Sequence, residues 1–272
     1  MKTIITPTDF SSISENACVY AAKMAADIHA ELVLLHVMEL PVSVAEFPVT
    51  EEMIDEINME SELEALRKTL VKETANKVII HTKNILGSVE HELKELCEQK
   101  KPFAVVMGTH ASSILDRFFL ESTAVYSARH IPFPVLVVPG GVNYTPIRKI
   151  ALATDLKDIY DLSVHEIETI VNTFHASFEV YYVGKNEKDI DKGAVEKLSL
   201  YHHLSRLNPE FYFIENEDVE LGISLLAEKN RADLVLFIPK KHGPFHKSQS
   251  KELIFYSLVP VMAIHENDFA CA

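Results

Sequence analysis

The chain has 272 residues, which at about 150 residues per domain gives two small domains or one large one. Apolar residues make up 47% and charged residues 24%, the balance of a soluble globular protein, which excludes a disordered chain and a fibrous repeat. Against 40 acidic side chains stand 26 basic ones, a formal charge of −14, which argues against nonspecific binding to nucleic acid or to an anionic membrane surface.

Met1-Lys2-Thr3-Ile4-Ile5 is too short for a signal-peptide core, and no run reaches the ~18 apolar residues of a membrane helix, so a cytoplasmic product is expected. The first strand is placed near 2–6. Ser12-Ile13-Ser14-Glu15 then has the spacing of a capping box, and Ala17, Ala21, Met24 and Ala25 form the apolar stripe of the helix it would open. A second strand is placed near 31–37. Met53, Ile54, Ile57, Leu63, Leu66 and Leu70 come next at helical intervals, and their methionine reads as core. Further strands are placed near 77–81, 103–108 and 134–138.

Pro139-Gly140-Gly141-Val142-Asn143-Tyr144-Thr145-Pro146 reads as a joint, because the residues after it repeat the pattern of those before it. Lys2 through Ser11 parallels Arg148 through Lys157, Phe103 through Gly108 parallels Asp233 through Ile238, and Pro134 through Val138 parallels Pro260 through Ile264. The offsets shrink from 146 to 130 to 126, so the second copy is shorter by deletions. Its strands are placed near 148–153, 177–183, 211–215, 233–238 and 260–265.

Apolar strands alternating with helical segments predict an α/β fold of two tandem doubly wound five-stranded parallel sheets, in domains 1–140 and 147–267. Ligands of such sheets bind where the winding reverses, at the carboxyl ends of the first and fourth strands. Those ends carry Pro7-Thr8-Asp9-Phe10-Ser11 and Gly108-Thr109-His110-Ala111-Ser112-Ser113, the latter followed by Ser122-Thr123. Asp9 and Asp155, its counterpart, also suit the simpler task of capping the next helix. His36 and His110 both fall at strand ends, where His36 suits a strand-end hydrogen bond and His110 the crevice wall.

The run from Val105 through Gly108-Thr109-His110 and Leu115-Asp116-Arg117 to Ser122-Thr123-Ala124, closing on Pro134 to Val138, resembles the universal stress protein (UspA-domain) family. Thr8-Asp9, Leu34-Leu35-His36-Val37 and Gly87-Ser88 fit the same pattern, and the likeness makes the chain a tandem member, stronger over 1–139 than over 148–265. The resemblance implies an adenine-nucleotide alpha hydrolase-like fold with strand order 3-2-1-4-5 and ATP or AMP as ligand. It also implies a nucleotide-binding set of Thr8, Asp9, Val37, Gly108, Thr109, His110, Ser112, Ser122, Thr123 and Asp155. It implies further that the last strands of the two copies pair as an internal pseudo-dimer, while an edge strand left open invites a homodimer.

Nucleotide-binding members of that family carry three glycines around the phosphates, and here only Gly108 is kept, with Ala111 and Glu121 at the other two positions. Ala111 in a left-handed conformation would cost about 1–2 kcal/mol. A carboxylate at Glu121 about 5 Å from a phosphate charge would cost roughly 3 kcal/mol at an effective dielectric near 20. In the second copy Ile238-Pro239-Lys240-Lys241-His242 replaces the glycine turn, and the proline removes an amide donor, although Ser248 and Ser250 remain near the next helix start.

Elsewhere the chemistry-bearing motifs are sparse. Cys18, Cys97 and Cys271 form no C-x-x-C pair, and His242 and His246 flank a Gly-Pro that spoils a helical metal site. His165-Glu166 lacks the second histidine of a metalloprotease helix, and His202-His203 diverge on a helix. No nucleophile elbow and no cysteine-histidine pair stands out, so no metal and no catalytic residue is assigned. The expected function is a noncatalytic stress-response or regulatory module with an altered adenine-nucleotide crevice. The alternatives are an ATP- or AMP-binding member with slow hydrolysis, and a carrier whose pocket is lined by Phe118, Phe119, Phe245 and Phe255.

Overall fold

The computed structural model describes residues 1–39, 59–109, 123–154, 163–184, 197–198, 200–239, 253–254 and 257–265. In the first half β1 (Thr3–Pro7), α1 (Ser12–Asp27), β2 (Glu31–Met38), α2 (Glu60–Glu73), β3 (Ile80–Leu86), α3 (Val89–Lys100), β4 (Ala104–Thr109), α4 (Thr123–His130) and β5 (Val135–Pro139) succeed one another. The second half contributes β6 (Lys149–Ala153), α5 (Val164–Phe174), β7 (Ser177–Gly184), β8 (Glu210–Glu215), α6 (Val219–Asn230), β9 (Leu234–Phe237) and β10 (Val261–Ala263).

Each half forms the expected doubly wound parallel sheet, with β1 between β2 and β4 and β6 between β7 and β9. The two sheets are fused. β5 pairs antiparallel with β10, Val137 to Val261, Leu136 to Met262 and Val135 to Ala263, so ten strands run in the order β3-β2-β1-β4-β5-β10-β9-β6-β7-β8. This is the pairing of terminal strands expected between 134–138 and 260–264.

Two apolar layers cover the sheet, and both cross the seam. One face buries Ile4, Leu136, Ile150 and Met262 under α1, α2 and α5, and the other buries Ile5, Val135, Ala151 and Val261 under α3, α4 and α6. The joint is strapped to α1: Asn16 Nδ2 donates to Val142 O at 3.1 Å, and the Tyr144 hydroxyl donates to Asp27 at 2.6 Å. Edge-to-face contact of Tyr20 with Tyr144, centroids 5.0 Å apart, closes that strap. α3, α5 and α6 end on the left-handed residues Lys101, His175 and Arg231. A glycine would relieve that backbone, but Lys101 and Arg231 instead place positive charge at the negative end of the helix.

Three expectations need correction. The third strand is Ile80–Leu86, not 77–81, because the apolar run before it is its approach, with Ile79 58% exposed. As an edge strand it can carry His81, Lys83 and Asn84, so β3, and β8 with its exposed acids, depart from the wholly apolar strands expected of a parallel sheet covered on both faces. The cap of α1 is Ser11, one residue before the expected box, for reasons that lie at the candidate site. Among the described residues no helix is long and apolar enough to cross a membrane.

The unbroken apolar layers predict one cooperative unfolding transition for both halves. Leu136→Ala, at a fully buried seam position, should cost about 2–5 kcal/mol in urea. Hydrogen exchange of peptides from the two halves should collapse at the same denaturant concentration, whereas separate midpoints would contradict a shared core.

Candidate functional site

The crevice of the first half lies where β1 and β4 part. The register sets Ile5 beside Val105 and Pro7 beside Leu35, so by continuation Thr8 and Asp9 lie level with His36 and Val37 on one side and Gly108 and Thr109 on the other. Five of the expected residues, Thr8, Asp9, Val37, Gly108 and Thr109, are thereby brought to one end of three neighbouring strands. Thr123 opens α4. His110, Ser112, Ser122 and Asp155 lie outside the described residues, as do Ala111, Glu121, Phe118, Phe119, Phe245 and Phe255, the basic loop from Lys240, Ser248 and Ser250, and Cys271.

The turn from β1 into α1 closes on itself. Thr8 N–H donates to Leu35 O at 2.8 Å, and His36 Nδ1–H donates to Thr8 O at 2.9 Å, the strand-end role expected of that histidine. The carbonyl can only accept, so this bond fixes the proton on Nδ1. Phe10 takes a left-handed φ of 61°, its N–H donating to Thr8 Oγ1 at 3.0 Å and its ring lying 4.8 Å from His36. Thr8 Oγ1 also lies 3.1 Å from Ser14 Oγ.

Asp9 Oδ1 accepts from Ser11 N–H at 3.0 Å and from Ser11 Oγ–H at 2.6 Å. Ser11 Oγ in turn accepts from Ser14 N–H at 3.2 Å, which makes it the N-cap. This Asx turn moves the cap from Ser12 to Ser11. Partial burial works to raise the Asp9 pKa, but hydrogen bonds from Ser11 and Ser14 outweigh it and hold the carboxyl below its ordinary value. Asp9 therefore stays ionised with its Oδ1 engaged by the cap. The capping role is present, carried out one step removed.

Gly108 is explained by packing. A Cβ there would meet Ile13 Cγ2 and Ile13 O, each at 2.7 Å, because the first turn of α1 crosses β4 at this point. Its φ is not positive; among the described residues the glycine in that region is Gly141 in the joint, at 80°. The retained motif glycine thus serves close helix-strand approach. Thr109 is 3% exposed, and its Oγ1 has no hydrogen-bond partner among the described residues. Val37 is buried, in the apolar layer under α3 and α4.

In the second half Thr154 N–H donates to Tyr181 O at 3.1 Å, the counterpart of the Thr8 bond. Ile238 and Pro239 stand level with Gly108 and Thr109, as the β9 register requires. α5 opens only at Val164, the counterpart of Cys18, so its described part lacks the turn that in α1 needs a glycine beneath it.

Sequence reasoning missed a polar cleft of about 670 Å³, between α2, the end of β2 and the middle of β3, lined by Met38, Glu60, Ser61, Leu63, Glu64, Thr82 and Asn84. Its residues come from separate elements with no shared motif. It contains none of the expected site residues. Burial pushes the Cys18 and Cys97 thiols up to about 12, which leaves them protonated and unreactive at neutral pH. Among the described residues no group of three or more His, Cys, Asp or Glu could hold a metal ion.

Residues 1–139, just over half of the chain, match the model of the universal stress protein family. The chain belongs to the universal stress protein family. A universal stress protein of Methanocaldococcus jannaschii is 36% identical over 141 residues, covering 50% of this chain and 81% of that relative. Among solved structures, a universal stress protein from Archaeoglobus fulgidus superposes with a TM-score of 0.73 at 16% identity, covering 97% of this chain and 98% of its own. The cytoplasmic domain of a prokaryotic cation chloride cotransporter superposes at 0.51 and 12% identity, covering 96% of this chain and 94% of its own. At those identities the superpositions establish a shared fold, and this universal stress protein fold serves proteins of different roles.

Gly108→Ala should destabilise the protein by about 1–3 kcal/mol through overpacking, read from urea midpoints. Adding Ile13→Ala removes the side-chain clash but not the carbonyl clash, so the double variant should recover only part of the loss. A neutral Gly108→Ala would contradict the packing assignment.

Proposed function

We propose that this universal stress protein is a noncatalytic regulatory module of two units, residues 1–140 and 147–267, acting in the cytoplasm. Its first-half crevice keeps the place of an adenine nucleotide but has lost its hold on a triphosphate. The observation that carries the reading is Gly108, whose missing side chain makes room for Ile13. Asp9, engaged by Ser11, and Glu121, a carboxylate at a glycine position of the motif, support it. Thr109 adds one buried hydroxyl with no partner among the described residues at the carboxyl end of β4. AMP or adenosine suits such a crevice better than ATP.

The polar cleft beside α2 favours a second reading, a carrier for another small polar molecule. Thermal melting with ATP, AMP and adenosine, together with phosphate release from ATP, tests the first reading. The expected result is an ATP shift no larger than the adenosine shift, and no phosphate above buffer. Ala111→Gly with Glu121→Gly should then strengthen ATP binding about a hundredfold, the equivalent of roughly 3 kcal/mol of relieved repulsion. An ATP shift well above that of adenosine in the unaltered chain, phosphate release, or unchanged ATP binding by the folded double variant would overturn the reading.

A further inference from the structure

The described sheet ends in two strands with a neighbour on one side only, β3 and β8, and they are finished differently. β3 carries His81, Thr82, Lys83 and Asn84, polar and cationic side chains of the kind that discourage pairing along an edge. β8 reads Glu210-Phe211-Tyr212-Phe213-Ile214-Glu215, four half-buried apolar residues between two exposed acids, with no lysine, proline or glycine among them.

Asn216 N–H donates to Gly184 O of β7 at 2.9 Å. Alternation along an extended strand then turns the N–H and C=O of Phe211, Phe213 and Glu215 away from β7, toward the open side. The edge is also braced. The rings of Phe211 and Phe213 stack at 6.4 Å with 15° between planes, and Lys197 Nζ lies 5.0 and 5.8 Å from their centroids. Tyr201 and Tyr182 extend that row, 6.3 Å from Phe211 and 5.8 Å from Phe213. On the opposite face the Tyr212 hydroxyl donates to Glu210 at 2.9 Å. Past Asn216 come Glu217 and Asp218, the N-cap of α6, so the strand end is strongly acidic.

We infer that β8 is a docking edge for an extended peptide segment of another protein, which adds one strand to the sheet with apolar side chains beside Phe211 and Phe213 and a basic residue facing Glu210 and Glu215. Charge complementarity selects this occupant. A second copy of β8, laid antiparallel, would set glutamate against glutamate at both ends with no cation in either strand to answer it. Contact with β3 of a second copy would be head-to-tail, growing an open filament instead of closing. A cationic segment instead supplies the missing charge, and main-chain hydrogen bonds along the open edge supply the register.

The test uses the full chain and two labelled hexapeptides, acetyl-Lys-Thr-Val-Thr-Val-Lys-amide and its counterpart with glutamate at both ends, monitored by fluorescence anisotropy and amide exchange. The lysine peptide should bind at least tenfold tighter than the glutamate peptide, weaken with salt, and slow exchange at Phe211, Phe213 and Glu215. Phe213→Pro removes an outward N–H while sparing the ladder to β7, and should weaken binding at least tenfold with an unchanged circular dichroism spectrum. Should that variant fail to fold, Glu210→Lys with Glu215→Lys alters exposed side chains only and should reverse the preference between the peptides. Absent binding, equal affinities, protection at a different strand, or a concentration-dependent dimer lost in either variant would overturn the inference.

Discussion

Where α1 crosses β4, the two backbones come so close that a single methyl group on Gly108 would meet Ile13 O at 2.7 Å. That contact seats the first turn of α1 on the sheet and so fixes where Ser11 must cap it and where Asp9 must stand to hold Ser11. Farther along the same helix, Asn16, Tyr20 and Asp27 receive the joint that carries the chain to the second half. The crevice and the strap are therefore two consequences of one packing arrangement. The second half differs in both respects: Ile238 replaces the glycine, and the described helix α5 opens later.

The antiparallel seam between β5 and β10 converts two potential edges into sheet interior. Each half alone would present a five-residue or three-residue apolar strand to solvent, the kind of edge that attracts other chains. Joined, they bury it and leave the outer strands as the open edges, so the chemistry of β3 and β8 sets how the described sheet meets its surroundings. The same arrangement places the two crevices at different positions along one sheet, each between the strands where its own half reverses winding.

Much of this was legible in the sequence for a plain reason. Central strands of a parallel sheet are buried on both faces, so Ile4-Ile5, Leu32 to Leu35, Val105-Val106 and Val135 to Val138 appear as unbroken apolar runs. Edge strands lose that constraint, which is why β3 was displaced toward Val78-Ile79-Ile80. At the site, the positions Thr8, Asp9, Val37, Gly108 and Thr109 were readable from topology and family pattern. Their physical reasons were not, because the approach of Ile13 to Gly108 joins residues far apart in the chain, and the cleft beside α2 draws its lining from three elements, α2, β2 and β3. The Asp9-x-Ser11 spacing did hold a usable signal, an Asx turn feeding the helix cap, that a capping box starting at Ser12 obscured.

On the proposed reading the family motif survives here as architecture, with Gly108 serving helix placement and no triphosphate held. Native mass spectrometry of the gently purified full chain measures this most directly, by weighing what the folded protein retains. The protein should emerge without a triphosphate, either empty or carrying adenosine or a monophosphate. Recovery of stoichiometric ATP would contradict the account.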